Sequence, residues 1–105
     1  QDNTYTLPAP IAGSVFKFVY AGGAADATDA IIVTPGNSNF YIGGVTFLDT
    51  DGNEVSSVFS DGNSNSSIQL NVPAGFEVTI IGKDSTNYHI FGNVTSTTAP
   101  AFADQ

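Results

Sequence analysis

The chain has no cysteine, no methionine and no tryptophan, a single histidine, and only two cationic residues among 105. Each shortage removes a class of chemistry. Without cysteine there is no disulfide framework, no thiol nucleophile and no thiolate metal site. Two cations against ten acidic residues leave a net charge of −8, which argues against nucleic acid, whose phosphates must be neutralised by basic side chains. It argues equally against docking on anionic lipid. No apolar run approaches the ~20 residues of a membrane span, and no basic-then-apolar signal segment opens the chain. A chain lacking even an initial methionine is expected to begin after processing, or to be a piece of a longer polypeptide.

The hydrophobic fraction is 41% and the charged fraction 11%, so the composition is not that of a disordered chain. The length is that of one domain. Strong helix formers are scarce, and Gly, Pro, Ser, Thr and Asn punctuate every segment. The one Ala-rich stretch, 21–30, is broken by Gly22 and Gly23 and is read as a loop rather than a turn of helix.

Strand signals dominate instead. Residues 13–20 are dense in aromatic and β-branched side chains, with Val15, Phe16, Phe18, Val19 and Tyr20. Residues 30–34 form a short apolar run ended by Pro35-Gly36. Two further runs, 39–42 and 45–48, flank Gly43-Gly44, a bulge or tight turn. The segment 49–53 is a hairpin connection with Asp51-Gly52 at its tip, followed by a strand over 55–59. In 67–72, Ile68, Leu70 and Val72 alternate with polar residues, as Phe76, Val78 and Ile80 do after the Pro73-Ala74-Gly75 turn. A last strand covers 88–95. Seven to nine short strands, with turn signals every eight to twelve residues, predict an all-β fold. The expected form is an antiparallel β-sandwich or jelly-roll-like small barrel over 14–95. Residues 1–13 are an extended N-terminal arm and the start of the first strand, and 96–105 an extended C-terminal tail. Each end is read either as an arm reaching a neighbour or as a frayed terminus.

Chemistry-bearing residues are few. His89 lies on the polar phase of its strand, with no visible nucleophile or orienting carboxylate, and reads as a surface or interface histidine rather than a general base. Asp49, Asp51, Asn53 and Glu54 offer oxygens for Ca²⁺. The spacing is not that of an EF-hand loop, because position twelve is Ser60, so the hairpin-turn reading is preferred. Asp26 and Asp29 get the same reading. No cofactor and no metal is expected. The missing tryptophan lowers a carbohydrate-binding reading. Phe16, Phe18, Phe47, Phe59, Phe76 and Phe91 are read as core rather than as a ligand platform.

One ordered pair of motifs is more specific. Thr4-Tyr5-Thr6-Leu7-Pro8-Ala9-Pro10-Ile11-Ala12-Gly13-Ser14-Val15-Phe16-Lys17-Phe18 resembles a T-x-T-L-P-x-P-x-x-G-x-x-F-x-F element of tailed-bacteriophage virion structural β-module proteins. Residues 84–94, after the strand 75–80, resemble the closing S-D-G-T-N-W-x-V-x-G element of the same proteins, with Tyr88 in place of the Trp and Thr86 in place of the Gly. The two elements cover about a quarter of the chain, at its two ends and in the right order.

The resemblance implies a non-enzymatic virion structural protein of the capsid decoration (cement) or head-fibre type. Such a module would lie on the capsid surface, be homotrimeric, and bridge subunits of the major capsid protein, its partner. The alternative is a β domain of a phage fibre or spike that binds a host glycan or receptor; a third class, a small enzyme domain, would need His89 buried beside a carboxylate. The contact residues expected are Tyr5, Leu7, Pro8, Pro10 and Ile11 at the start and Pro100 and Phe102 at the end. Leu7 and Ile11 serve equally well, on the sequence, as caps of the core. On a locally basic lattice the −8 charge would steer docking, and binding would weaken with salt.

Overall fold

The structure, a computed structural model, describes residues 3–21 and 29–105. Most of the expected 21–30 loop, with Asp26, lies outside the described residues. The described residues contain no helix, and so none long and apolar enough to cross a membrane. They form nine strands: β1 (Asn3–Thr6), β2 (Val15–Tyr20), β3 (Ala30–Val33), β4 (Phe40–Asp49), β5 (Glu54–Phe59), β6 (Ser67–Leu70), β7 (Pro73–Gly82), β8 (Asn87–Ser96) and β9 (Ala101–Ala103). The strands make two sheets, ordered β1-β3-β6-β9 and β2-β7-β8-β4-β5. The fold is the expected all-β, sandwich-like one.

Two features differ from the sequence reading. Five of the seven ladders are antiparallel, but β1 with β3 and β4 with β8 run parallel. Short turns force antiparallel pairing only on strands adjacent in the chain. Between β4 and β8 the chain visits both sheets, and between β1 and β3 it crosses to the other sheet as β2, so those pairs are free of the constraint. The 40–48 region is also one ten-residue strand that runs through Gly43 and Gly44. Gly43 absorbs the irregularity with φ +109, and a Cβ there would lie 2.5 Å from the Ile90 carbonyl oxygen, so only glycine fits.

The terminal segments are extended, as expected, but they lie on the body of the domain. β1 is one edge of the four-stranded sheet and β9 the other. The last residues are tied down further: Gln105 Nε2 donates to the Thr34 carbonyl at 2.8 Å, and Asn37 Nδ2 to the Gln105 carbonyl at 2.7 Å.

The core sits between the sheets. Ile32, Ile68 and Leu70 come from the smaller sheet, and Tyr41, Val45, Val78, Ile80, Tyr88, Ile90 and Val94 from the larger. Period-two alternation places these side chains on one face of each strand. Two core tyrosines also have their hydroxyls satisfied. Tyr41 Oη donates to the Ile32 carbonyl at 2.9 Å and so joins the two sheets; Tyr88 Oη donates to the Pro8 carbonyl at 2.5 Å and fastens the N-terminal segment. Burial, with a smaller contribution from the neighbouring Tyr88, pushes the Tyr41 phenol far above its ordinary value, so it stays a neutral donor. Burial also raises the Tyr88 phenol.

Candidate functional site: the outer face of the five-stranded sheet

The turns use their acidic residues structurally. Asp61 accepts from the Ser64 hydroxyl at 2.6 Å and from the backbone N–H groups of Asn63, Ser64 and Asn65. These donors, the Ser64 hydroxyl foremost, hold its carboxyl below the ordinary carboxylate range. Asp84 is lowered in the same way, first by the Thr86 N–H and then by that of Asn87. In the 49–54 hairpin, Asp49 Oδ1 accepts from Asp51 N at 2.9 Å and Gly52 N at 3.0 Å. The positive φ needed there falls on Asn53, at +55, and not on Gly52 as the Asp-Gly reading expects. Asn tolerates this region better than most residues. No group of three or more His, Cys, Asp or Glu side chains placed to hold a metal ion occurs among the described residues.

The expected contact residues do not form one surface. Leu7, Pro10 and Pro100 are buried. Phe102 packs edge-on against Tyr41 with ring centroids 6.1 Å apart, and Tyr5 packs against Phe18 at 5.8 Å. Pro8 is exposed, and so is Ile11 at 68%. Of the two candidate core caps, Leu7 is one and Ile11 is not.

The large exposed apolar side chains gather elsewhere. Of the seven, five lie on the outer face of the five-stranded sheet: Val15, Val19, Val55, Phe59 and Phe91. Register explains their company. Val15 pairs with Ile81, which pairs with His89, which pairs with Ile42. In the next row Lys17 pairs with Thr79 and Thr79 with Phe91. The β4–β8 offset then puts Gly44 beside Phe91, and Gly44 pairs with Phe59. A Cβ on Gly44 would overlap the Val58 carbonyl and press on the Phe59 ring, so a side chain there would displace the aromatic beside it.

Two of the phenylalanines expected in the core are therefore at the surface: Phe59 is 72% and Phe91 47% exposed. Phe47 is buried, and Phe16, Phe18 and Phe76 pack against the core as expected. The signal that marks Phe91 is strand phase. Tyr88 and Ile90 are buried, so His89 and Phe91 must point the other way. His89 is exposed, in keeping with the surface-histidine reading.

Electrostatically the face is neutral. Its charged residues are Lys17 and Glu77, whose side chains meet at 3.3 Å, both more than half exposed. The other described acidic residues lie in turns, at strand ends or in the C-terminal segment. A strongly acidic chain thus carries one sheet face whose described residues have no net charge, with large apolar side chains among polar ones, and no other described element covers it. Family models, curated proteins and solved structures contain no match to this chain.

Proposed function

We propose that the chain is a non-enzymatic structural module of a tailed-bacteriophage particle: a capsid decoration protein on the head surface that bridges major capsid subunits, as a homotrimer. The observation that supports this reading is the outer face of the five-stranded sheet, where Val15, Val19, Val55, Phe59 and Phe91 are exposed and the described charges balance. Large apolar side chains that no other described element covers favour an interface. Exposed aromatics such as Phe59 and Phe91, with few charges around them, suit a contact core. The motif resemblance at the two ends of the chain supplies the phage context. The edge strands β1 and β9, stitched to the body, suit a domain that docks as a rigid unit rather than by unfurling its ends.

In this reading the acidic turns and the apolar face divide the work. The −8 charge steers approach to a locally basic lattice, and the apolar face sets how long the contact lasts. The test mixes the purified chain with undecorated heads and images them by electron microscopy. Regular density at symmetry axes is expected, with the five-stranded sheet against the shell. Raising the salt slows association while dissociation changes little. Undecorated shells, with the chain located instead on tails or projecting fibres of intact virions, would overturn the reading.

A further inference from the structure

The edges of the two sheets are unequal. An edge strand carries a row of unpaired backbone N–H and C=O groups, and proteins blunt such edges with short strands, lysine or proline. β1 and β9 have only four and three residues. β2 and β5 bound the five-stranded sheet with six residues each. β2 has Lys17 near its middle. β5 has neither lysine nor proline, and all of it but Val58 is exposed. Among the described residues no strand pairs with its outer edge. We infer that β5 is a self-association edge, to which a second copy of this chain adds its own β5, antiparallel, about a two-fold axis at Ser57. The contact shares Val55 and Phe59 with the outer face described above but does not rest on the decoration reading.

Backbone phase sets the register. Ser60 N donates to the Gly43 carbonyl at 2.9 Å. Along an antiparallel ladder, residues that bond to the neighbouring strand alternate with residues that do not, so Ser60, Val58 and Ser56 bond towards β4. The N–H and C=O groups of Val55, Ser57 and Phe59 are directed away from it. The side chains of the same three residues stand on the outer face. They pair with Leu48, Thr46 and Gly44, whereas Val45 and Phe47, in between, are buried.

A second β5 centred on this edge therefore meets it in phase. Val55 faces Phe59 of the second copy, Ser57 faces Ser57, and Phe59 faces Val55. Each facing pair exchanges two backbone hydrogen bonds, and the two outer faces become one. The side chains match as well. Val55 and Phe59 lie symmetrically about Ser57, so each end gains an aromatic–β-branched pair, a stabilising cross-strand combination. Charge agrees: Glu54, the one ionisable residue of the strand, falls opposite Ser60 and not opposite another Glu54. The same operation on β2 sets Lys17 against Lys17, and like charges directly opposite destabilise a sheet. A two-fold contact needs a self-complementary strip, which β5 has and β2 lacks.

The test is sedimentation velocity of the intact chain from micromolar to millimolar concentration. A strand-edge contact is small, so a weak dimer, half formed near about 0.1 mM, is expected. Each copy carries −8, so salt should strengthen the dimer by screening repulsion, the opposite of its effect on docking to a basic lattice. Ser57→Lys, which gives β5 the protection that β2 has, should weaken the dimer about tenfold or more. Thr46→Lys, the same charge one strand inward, should weaken it by a smaller factor. Cross-linking reads the register, and a chain without cysteine suits it. In Ser57→Cys the two thiols face each other with Cα atoms about 5.5 Å apart, within disulfide reach, whereas in Val55→Cys each thiol faces Phe59. Ser57→Cys should therefore form disulfide dimers in air much faster than Val55→Cys. A monomer at every concentration, a trimer, a dimer indifferent to Ser57→Lys, or equal cross-linking of the two cysteine variants would overturn the inference.

Discussion

The two sheets turn different faces outward. On the four-stranded sheet the outward rows read Thr4, Ile31, Gln69, Ala101 and Thr6, Val33, Ser67, Ala103. Threonine, glutamine, serine and alanine dominate, and none of the large exposed apolar residues is among them. On the five-stranded sheet the outward rows carry Val15, Val19, Val55, Phe59, Phe91, Ile42, Ile81 and Leu48, with Lys17, Glu77, Thr79, His89, Asn93, Thr46 and Ser57 among them; its distinction is the large apolar side chains it leaves exposed. The inward faces of both sheets are alike, apolar and closed to water. Inward patterning therefore reports folding and is shared, whereas outward patterning is under no folding constraint. An outward face that nonetheless stays apolar exposes hydrophobic surface to water in the isolated chain. The contrast makes the larger sheet the first place to look for a partner.

The sharpest way to break the comparison sets the two faces of one sheet against each other. Ile80→Ala, in the core, should cost about 2–5 kcal/mol through lost burial and a cavity. Val15→Ala, on the outer face of the neighbouring strand, should stay within about 0.5 kcal/mol. Urea denaturation of the two variants measures both. Equal losses would mean that the outer face is covered within the folded chain. The second prediction separates the two outer faces. Phe91→Asp should weaken binding to undecorated heads by about 2 kcal/mol or more, the scale of a hot-spot aromatic. Thr6→Asp, on the four-stranded sheet, should leave it unchanged. Co-sedimentation with heads reads the difference.

Two smaller effects sharpen it. Tyr41→Phe removes the hydroxyl that joins the sheets through the Ile32 carbonyl, and about 1–2 kcal/mol of stability should go with it. Thermal unfolding at neutral pH measures this. The acid side tests the turns. The carboxyls of Asp61 and Asp84 are held below their ordinary value of 3.8 in the folded chain, so their contribution is present above that pH. It is lost as the pH falls below 3.8 towards the folded values, because the unfolded chain then binds more protons. Asp61→Asn should flatten that acid-side decline slightly, as followed by circular dichroism across a pH series. Both groups are solvent-exposed, so the change is the smallest of the four.

Much of the strand layout was legible in the residues. Alternation marked β6 and β7, and turn chemistry marked the break between them, because both are local. Register was not legible. The sequence has no local signal for β4 lying parallel to β8, since the pairing is set by where the chain returns after visiting both sheets. The outer face was half legible. The phase of Phe91 against Tyr88 and Ile90 points it outward. Phe59, however, sits in a run whose neighbours are serines and valines, and a run does not tell which side is covered. At the two ends, Leu7, Pro10 and Pro100 look unpartnered in sequence, yet they are buried in the fold.

By itself, then, the sequence determined what depends on composition and nearest neighbours. It fixed an acidic chain without thiol chemistry, built from short strands and Asp- and Gly-rich turns, because charge, propensity and periodicity act within a few residues. Tertiary structure decided everything that needs two distant segments to meet. It made edge strands of the termini, set parallel ladders beside antiparallel ones, and gathered Val15, Phe91 and Phe59 onto one outer face. Those outcomes rest on which hydrophobic faces find each other across the whole chain, a choice made by burial summed over the core rather than by any one segment.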